Sequence, residues 1–241
     1  MNEAAPIALA LVAGAANLIG AAAVTARPRW SPRTLDAFVA FAAGFMVCVA
    51  LADALPEAMA RGGPGAPLVA TAGFLLVHLT QHTLAPHFHF GEETHDVNAV
   101  VSVSALAGLM LHTLVDGVAI ASGFAVERGL GFLLAAAVSL HKLPEGVAIA
   151  SIFLAAGASR ARALGAAAVL GLTTVLGAVV AEGVGLAGGT GLALAAGVTL
   201  YVAAANLVPE VQHRRGWLSG ASFFAGCAAY FGARALAGGH A

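Results

Sequence analysis

The pattern HTLVDGVAIASGF at residues 112–124 recurs as HKLPEGVAIASIF at residues 141–153. Each copy sets a histidine four residues ahead of a carboxylate, followed by Gly-Val-Ala-Ile-Ala-Ser. Four residues make about one helical turn, so His112 and Asp116 share a helix face, as do His141 and Glu145. The surroundings of these polar pairs are apolar, and a helix apolar on all sides lies in a large core or in a bilayer. Composition decides between the two. Only 10% of the 241 residues are charged, 60% are hydrophobic, and the mean hydropathy is +0.90. Soluble domains carry roughly 25% charged residues, and so few charges cannot cover a water-facing surface. That excludes a soluble enzyme and a disordered chain. Eleven Lys and Arg against twelve Asp and Glu leave no basic footprint for nucleic acid.

A helix crossing the hydrocarbon core needs roughly 20 apolar residues. Charges, prolines and glycines cut the chain into eight such segments, at 6–26, 35–59, 67–84, 97–124, 129–156, 163–187, 191–211 and 218–236. Residues 1–241 therefore read as one transmembrane unit, an all-α membrane protein of eight helices. A β-barrel is excluded because polar and apolar residues do not alternate. Alanine and glycine dominate the segments, and small residues let helices approach closely in lipid. The first segment lacks a basic stretch before it, so it reads as a span and not as a cleaved leader. Cys48 and Cys227 form no spaced motif and read as small core residues.

Loop charges orient the chain. With the N-terminus outside, the inner loops hold Arg27, Arg29, Arg33, Arg160, Arg162, Arg214 and Arg215, and the outer side holds Arg61, Arg128 and Arg234. Both termini are expected outside. Trp30 and Trp217 then fall at the inner interface, where an aromatic belt belongs. The Ala/Gly-rich, compact chain points to a bacterial inner membrane.

Consecutive spans run in opposite directions, so the repeat in spans four and five is inverted. A second pair is Asp53-Ala-Leu-Pro56-Glu57 in span two and Asn206-Leu-Val-Pro209-Glu210 in span seven. Together they predict a 3+2+3 arrangement, with spans one to three and six to eight as inverted repeats flanking a central pair. Inverted repeats with Pro-broken helices and a midplane site are features of transporters.

Ionisable residues within or at the ends of spans are Asp53, Glu57, His78, His112, Asp116, His141, Lys142, Glu145, Glu182 and Glu210. Each charge at a bilayer centre costs on the order of 3 kcal/mol on insertion scales, so such residues mark ion or proton paths. Two facing helices carrying His112, Asp116, His141 and Glu145 present two imidazoles and two carboxylates to one point. That is a ligand set for tetrahedral Zn²⁺, and it also admits Fe²⁺, Mn²⁺, Co²⁺ or Cd²⁺. The same spacing fits a pair of membrane His–carboxylate salt links. Pro144, inside the second copy, leaves a carbonyl one turn earlier without its helical donor. The loop HTLAPHFHFGEETHD at 82–96 adds His82, His87, His89 and His95 to three acids. It reads either as a cytoplasmic metal-binding loop or as a polar linker with incidental histidines. An intramembrane zinc hydrolase, using the same four side chains and an open water position, is the rival reading. A metal sensor is a third, weakened by the lack of room for a soluble output domain.

At these residues the chain resembles the ZIP family of divalent metal-ion transporters, in its small prokaryotic branch. The family's fourth-span pattern, His-Asn-x-x-[Asp/Glu]-Gly, is matched by His112, Asp116 and Gly117. Its fifth-span pattern is matched by His141, Pro144 and Glu145, and Glu182 resembles the acid of its sixth span. The resemblance implies eight spans and a non-enzymatic carrier whose metal is substrate and not cofactor. It also implies a transport site of His112, Asp116, His141 and Glu145. Thr113 stands where Asn is usual, and Lys142 where an acid or another ligand can stand. An ammonium has no lone pair and repels a cation. Lys142 is therefore expected to fill the place of a second metal and to pair with Glu182. Asp53 and Glu57 are expected along the outer approach, and Glu210 and His213 along the inner exit. Residues 194–197, small and apolar, are a candidate contact for a homodimer.

Overall fold

The computed structural model describes residues 4–26, 32–83, 99–209 and 217–236, nearly all of them helical. Helix α1 spans Ala4–Ala26. Helix α2 (Pro32–Val49) runs through a π turn at Ala50–Ala54 into α3 (Leu55–Arg61). Helices α4 (Ala66–Thr83), α5 (Ala99–Val126), α6 (Arg128–Ala155) and α7 (Arg160–Gly183) follow. Helix α8 (Gly189–Tyr201) enters a second π turn at Val202–Leu207, and α9 covers Trp217–Leu236. With α2 and α3 as one rod, these match the eight predicted segments to within a few residues. Among the described residues, five stretches are long and apolar enough to cross a membrane: Ala5–Ala26, Asp36–Arg61, Ser102–Val126, Arg128–Ala155 and Arg160–Gly183. Ala66–Thr80 and Gly189–Ala205 are shorter apolar helices. Large apolar side chains point outward, as lipid requires: Ile19, Leu68, Leu79, Leu172 and Phe224 are all exposed.

The helix ends have local causes. Ser159 accepts the Arg162 backbone N–H at 3.4 Å and starts α7 three residues before the expected position. Its end comes at Gly183, short of the predicted 187. Gly185 and Gly188 then take φ of 68° and 136°, which favour glycine and turn the chain. The two π turns precede Pro56 and Pro209. Proline has no N–H to give the carbonyl one turn back. The ladder instead closes over five residues, from the Leu55 N–H to the Ala50 carbonyl and from the Val208 N–H to the Ala203 carbonyl.

The helices pack in two groups. In one, α1 lies against α6 and α7, and α5 lies against the same two helices. In the other, α9 lies against α2, and α4 against α8. The groups meet where α5 touches α8 and α6 touches α2. Exchanging α1 with α7, α5 with α6, α2 with α8 and α4 with α9 carries this contact pattern onto itself. The glycines repeat the relation in detail. Gly117 of α5 abuts the backbone of Thr174 and Ala178 on α7, and Gly177 abuts Leu114. On the other side Gly146 of α6 abuts Asn17 of α1, and Gly20 abuts Leu143. Gly14 and Gly171 meet each other between them.

The candidate dimer contact at 194–197 is used inside the chain. Ala195, Ala196 and Gly197 are buried, and Gly197 lies against the Ala70 carbonyl of α4. The small side chains there let α4 and α8 close on each other, so this stretch is not free to receive a second subunit.

Candidate metal centre

Helices α5 and α6 lie side by side and bring both copies of the repeated pattern to one point. His112, Asp116, His141 and Glu145 are each at most 4% exposed, and they offer ligand atoms that all lie within 4.8 Å of one another. His112 Nε2 is 3.4 Å from Asp116 Oδ2 and 3.7 Å from Glu145 Oε2. His141 Nε2 is 3.3 Å from the same Asp116 oxygen. A tetrahedral ion with bonds of about 2.0–2.1 Å has ligand–ligand edges of about 3.3–3.4 Å. Three of the separations, at 3.3, 3.4 and 3.7 Å, are near that length, within a set that spans up to 4.8 Å. The glycine after each carboxylate explains its placement. Gly117 and Gly146 bring α5 against α7 and α6 against α1 backbone to backbone, which seats Asp116 and Glu145 in the interior.

The imidazoles are set for ligation. His141 Nδ1 is 3.0 Å from the Ala137 carbonyl oxygen. A carbonyl only accepts, so Nδ1 carries the proton. Nε2 is thereby turned toward Asp116, where a neutral ring would offer its lone pair to a cation. Neither ring nitrogen of His112 has a hydrogen-bond partner among the described residues.

Lys142 sits in the same cluster and is fully buried. Its Nζ lies 2.7 Å from Asp116 Oδ2 and 2.9 Å from Glu145 Oε2, and it donates to Glu145 Oε1 at 3.1 Å. An ammonium gripping both carboxylates offsets a charge pair that would otherwise be buried uncompensated. The expected pairing of Lys142 with Glu182 is not made. Glu182 closes α7 and lines an open cavity with Arg128 and Phe124. Arg128 lies 14 residues before Lys142, about 21 Å along α6. Asp116 and Glu145 are adjacent to the lysine, so they take it. Thr113 is buried but donates to the Met110 carbonyl at 3.0 Å, turned to its own helix.

Asn17 is the residue sequence reasoning missed. It is fully buried on α1 and its Nδ2 donates to Glu145 Oε1 at 3.2 Å. An amide in the middle of an apolar span was the available signal, since polar groups there are costly.

The residues expected along a path are not gathered at the cluster. Asp53, inside the first π turn, accepts from Tyr230 Oη at 2.5 Å and pairs with Arg234 at 3.1 Å, both on α9. Glu57 pairs with Arg61 one turn on. His78 of α4 meets Tyr201 Oη at 3.4 Å. Cys48 and Cys227 are free thiols, and Cys227 donates weakly to the Gly44 carbonyl at 3.5 Å. Glu210, His213, His87, His89 and His95 lie outside the described residues, and of His82 only the backbone, in the last turn of α4, is described.

A helical protein with apolar, membrane-length rods and a buried His/carboxylate cluster between two of them belongs to the class of intramembrane metal-handling proteins. The ZIP zinc transporter family matches residues 91–234, which take in α5 to α8, nearly all of α9 and all four cluster residues. The chain belongs to that family, whose members are membrane transporters of divalent metal ions. No curated protein matches the chain.

Proposed function

We propose that this chain carries divalent transition-metal ions, Zn²⁺ foremost, across a bacterial inner membrane toward the cytoplasm. His112, Asp116, His141 and Glu145 form the transport site. The observation that carries this reading is the buried convergence of the four side chains, with separations of 3.3, 3.4 and 3.7 Å that suit a tetrahedral ion. Two further features support it. His141 turns Nε2 to the cluster, and Lys142, which neutralises the carboxylates before the metal arrives, is already there.

The site takes one metal. Lys142, a cation that cannot ligate, already lies on both carboxylates and leaves room for one metal at most, and Thr113 donates its hydroxyl to its own helix. The chain is built as 3+2+3 with inverted repeats and both termini outside. The exchange of helix pairs described above and the matched π turns support that arrangement. At the outer half of the second span, Glu57 and Asp53 exchange Arg61 and Arg234 for an arriving cation. The Glu57–Arg61 pair is partly exposed and worth little, so a divalent ion displaces it readily. Glu210 and His213 receive the ion at the inner end, and the loop at 82–96 collects it.

The test is Zn²⁺ uptake into proteoliposomes holding a metal-sensitive dye, with the native chain beside Glu145→Ala. Flux in the native chain and none in the variant, at equal insertion, is the expected result. Normal flux in Glu145→Ala would remove the site assignment. Zinc held tightly without flux would replace a carrier with a zinc hydrolase.

A further inference from the structure

We propose that Asn17 is a fifth, oxygen-donating ligand of the metal site and shifts its preference toward ions that take more than four ligands. The inference rests on the reading of the cluster as a metal site and deepens it.

Asn17 is fully buried on α1 and held in place by backbone contact. The main chain of Asn17 lies against Gly146, and Gly20 lies against Leu143, so α1 cannot slide away from α6. That contact leaves the amide beside Glu145, where Nδ2 donates to Oε1 at 3.2 Å. The other half of the amide has no such use. Its Oδ1 is buried and meets no hydrogen-bond donor among the described residues. A buried, unmatched carbonyl oxygen costs roughly 1–3 kcal/mol. Half-satisfied amides are poor glue between helices, and this one lies beside a ligand carboxylate.

The geometry supplies a use for the oxygen. Rotation of the amide about its last torsion exchanges nitrogen and oxygen. With Lys142 on the carboxylates, nitrogen must face Glu145, because two oxygens would repel. With a divalent ion on Glu145, oxygen can face the ion instead, and the orphaned atom becomes a ligand. The helix-pair exchange gives a control. It relates Asn17 to Thr174, since each sits where α1 or α7 meets the glycine beyond a cluster carboxylate. The Thr174 hydroxyl is bonded to the Leu170 carbonyl at 3.3 Å. Of this related pair, the orphaned amide oxygen is on the Glu145 side, while the Thr174 hydroxyl is tied to its own helix.

The chemistry that follows is a change of coordination number. Two imidazoles and two carboxylates alone suit four-coordinate Zn²⁺. A carboxamide oxygen adds a hard donor, and hard oxygen donors at higher coordination suit Mn²⁺ and its neighbours. Zn²⁺ gains little from a fifth ligand, whereas Mn²⁺ gains much.

The experiment uses the full chain in nanodiscs, with Co²⁺ as an optical probe and Mn²⁺ and Zn²⁺ as titrants. Four-coordinate Co²⁺ absorbs far more strongly in the visible than five- or six-coordinate Co²⁺. Native protein should give the weak spectrum, and Asn17→Ala the strong one. Mn²⁺ affinity should fall on the order of tenfold in Asn17→Ala, with Zn²⁺ affinity changed much less. Asn17→Asp, which keeps the shape and an oxygen donor, should retain the weak spectrum; it serves alone if Asn17→Ala does not fold, and a strong spectrum there overturns the proposal. An unchanged spectrum in Asn17→Ala, or equal losses for both metals, also overturns it. His112→Ala separates the two levels. If it abolishes Co²⁺ binding while Asn17→Ala changes nothing, the fifth ligand is wrong and the site stands. If His112→Ala binds Co²⁺ normally, the site reading itself fails.

Discussion

At the scale of single residues, the proposed site sets one ammonium against one divalent ion for the same oxygens. Lys142 Nζ and any metal both need Asp116 Oδ2 and Glu145 Oε2. Removing one partner of a buried ion pair costs about 3–5 kcal/mol, because the charge left behind is uncompensated. Lys142→Met should therefore lower the thermal midpoint of the metal-free protein by several degrees. Added Zn²⁺ should raise that midpoint more in the variant than in the native chain, since the metal no longer competes with the lysine. Thermal unfolding with and without ZnCl₂ checks both, and an equal Zn²⁺ shift in the two proteins would mean that lysine and metal do not compete. The meeting of the four cluster side chains was legible because each His–carboxylate pair sits at one-turn spacing within a repeat. The partner of Lys142 was not, because several acids lie within or at the ends of spans and spacing along one helix does not rank contacts between helices. Asn17 lies 128 residues from Glu145, and no local pattern links them.

At the scale of helices, the Gly in each repeated motif is a packing device. A Cβ at Gly117 would run into the Thr174 carbonyl and the Ala178 nitrogen, both backbone atoms that cannot rotate aside. Gly117→Ala should thus force α5 off α7 and carry Asp116 away from the imidazoles. A cost of about 1–3 kcal/mol follows from such overpacking. Thermal stability should fall, and Zn²⁺ affinity should fall with it although no ligand has been altered. A substitution at Gly165, which has open space around it, is the control that should do neither. If Gly117→Ala binds Zn²⁺ as the native chain does, the ligands do not depend on this helix crossing. The spans themselves were legible from runs of apolar residues between charges. The π turns were not. Pro56 and Pro209 announce a fault in the ladder, but whether a helix kinks or widens depends on its neighbours. Here the widened turn carries Asp53 to Tyr230 and Arg234 on α9.

At the scale of the molecule, the repeated sequence motifs read as an inverted relation between halves, and the exchange of helix pairs agrees with that reading. Which helices pair was decided by glycine faces that no linear reading orders. The first and sixth spans pack together and hold the cluster helices from either side, while the second, third, seventh and eighth make up the other group. An inverted relation with an even number of crossings puts the ends of the chain on the same side of the membrane. The proposed orientation takes that side as the outside, which sets Arg160 and Arg162, at the start of α7, on an inner loop. Gly65, between α3 and α4, and Val184, beyond α7, then face outward; both are exposed. Single cysteines at these three places, in a chain with Cys48 and Cys227 replaced by alanine, read the orientation directly. In intact cells a membrane-impermeant maleimide should label Gly65→Cys and Val184→Cys. It should label Arg162→Cys only after the membrane is opened. The reverse pattern would turn the molecule over and make the inward path an outward one. Labelling of all three in intact cells would break the eight-span count. The ligands cannot tell these cases apart, because a site at the midplane looks the same from either side.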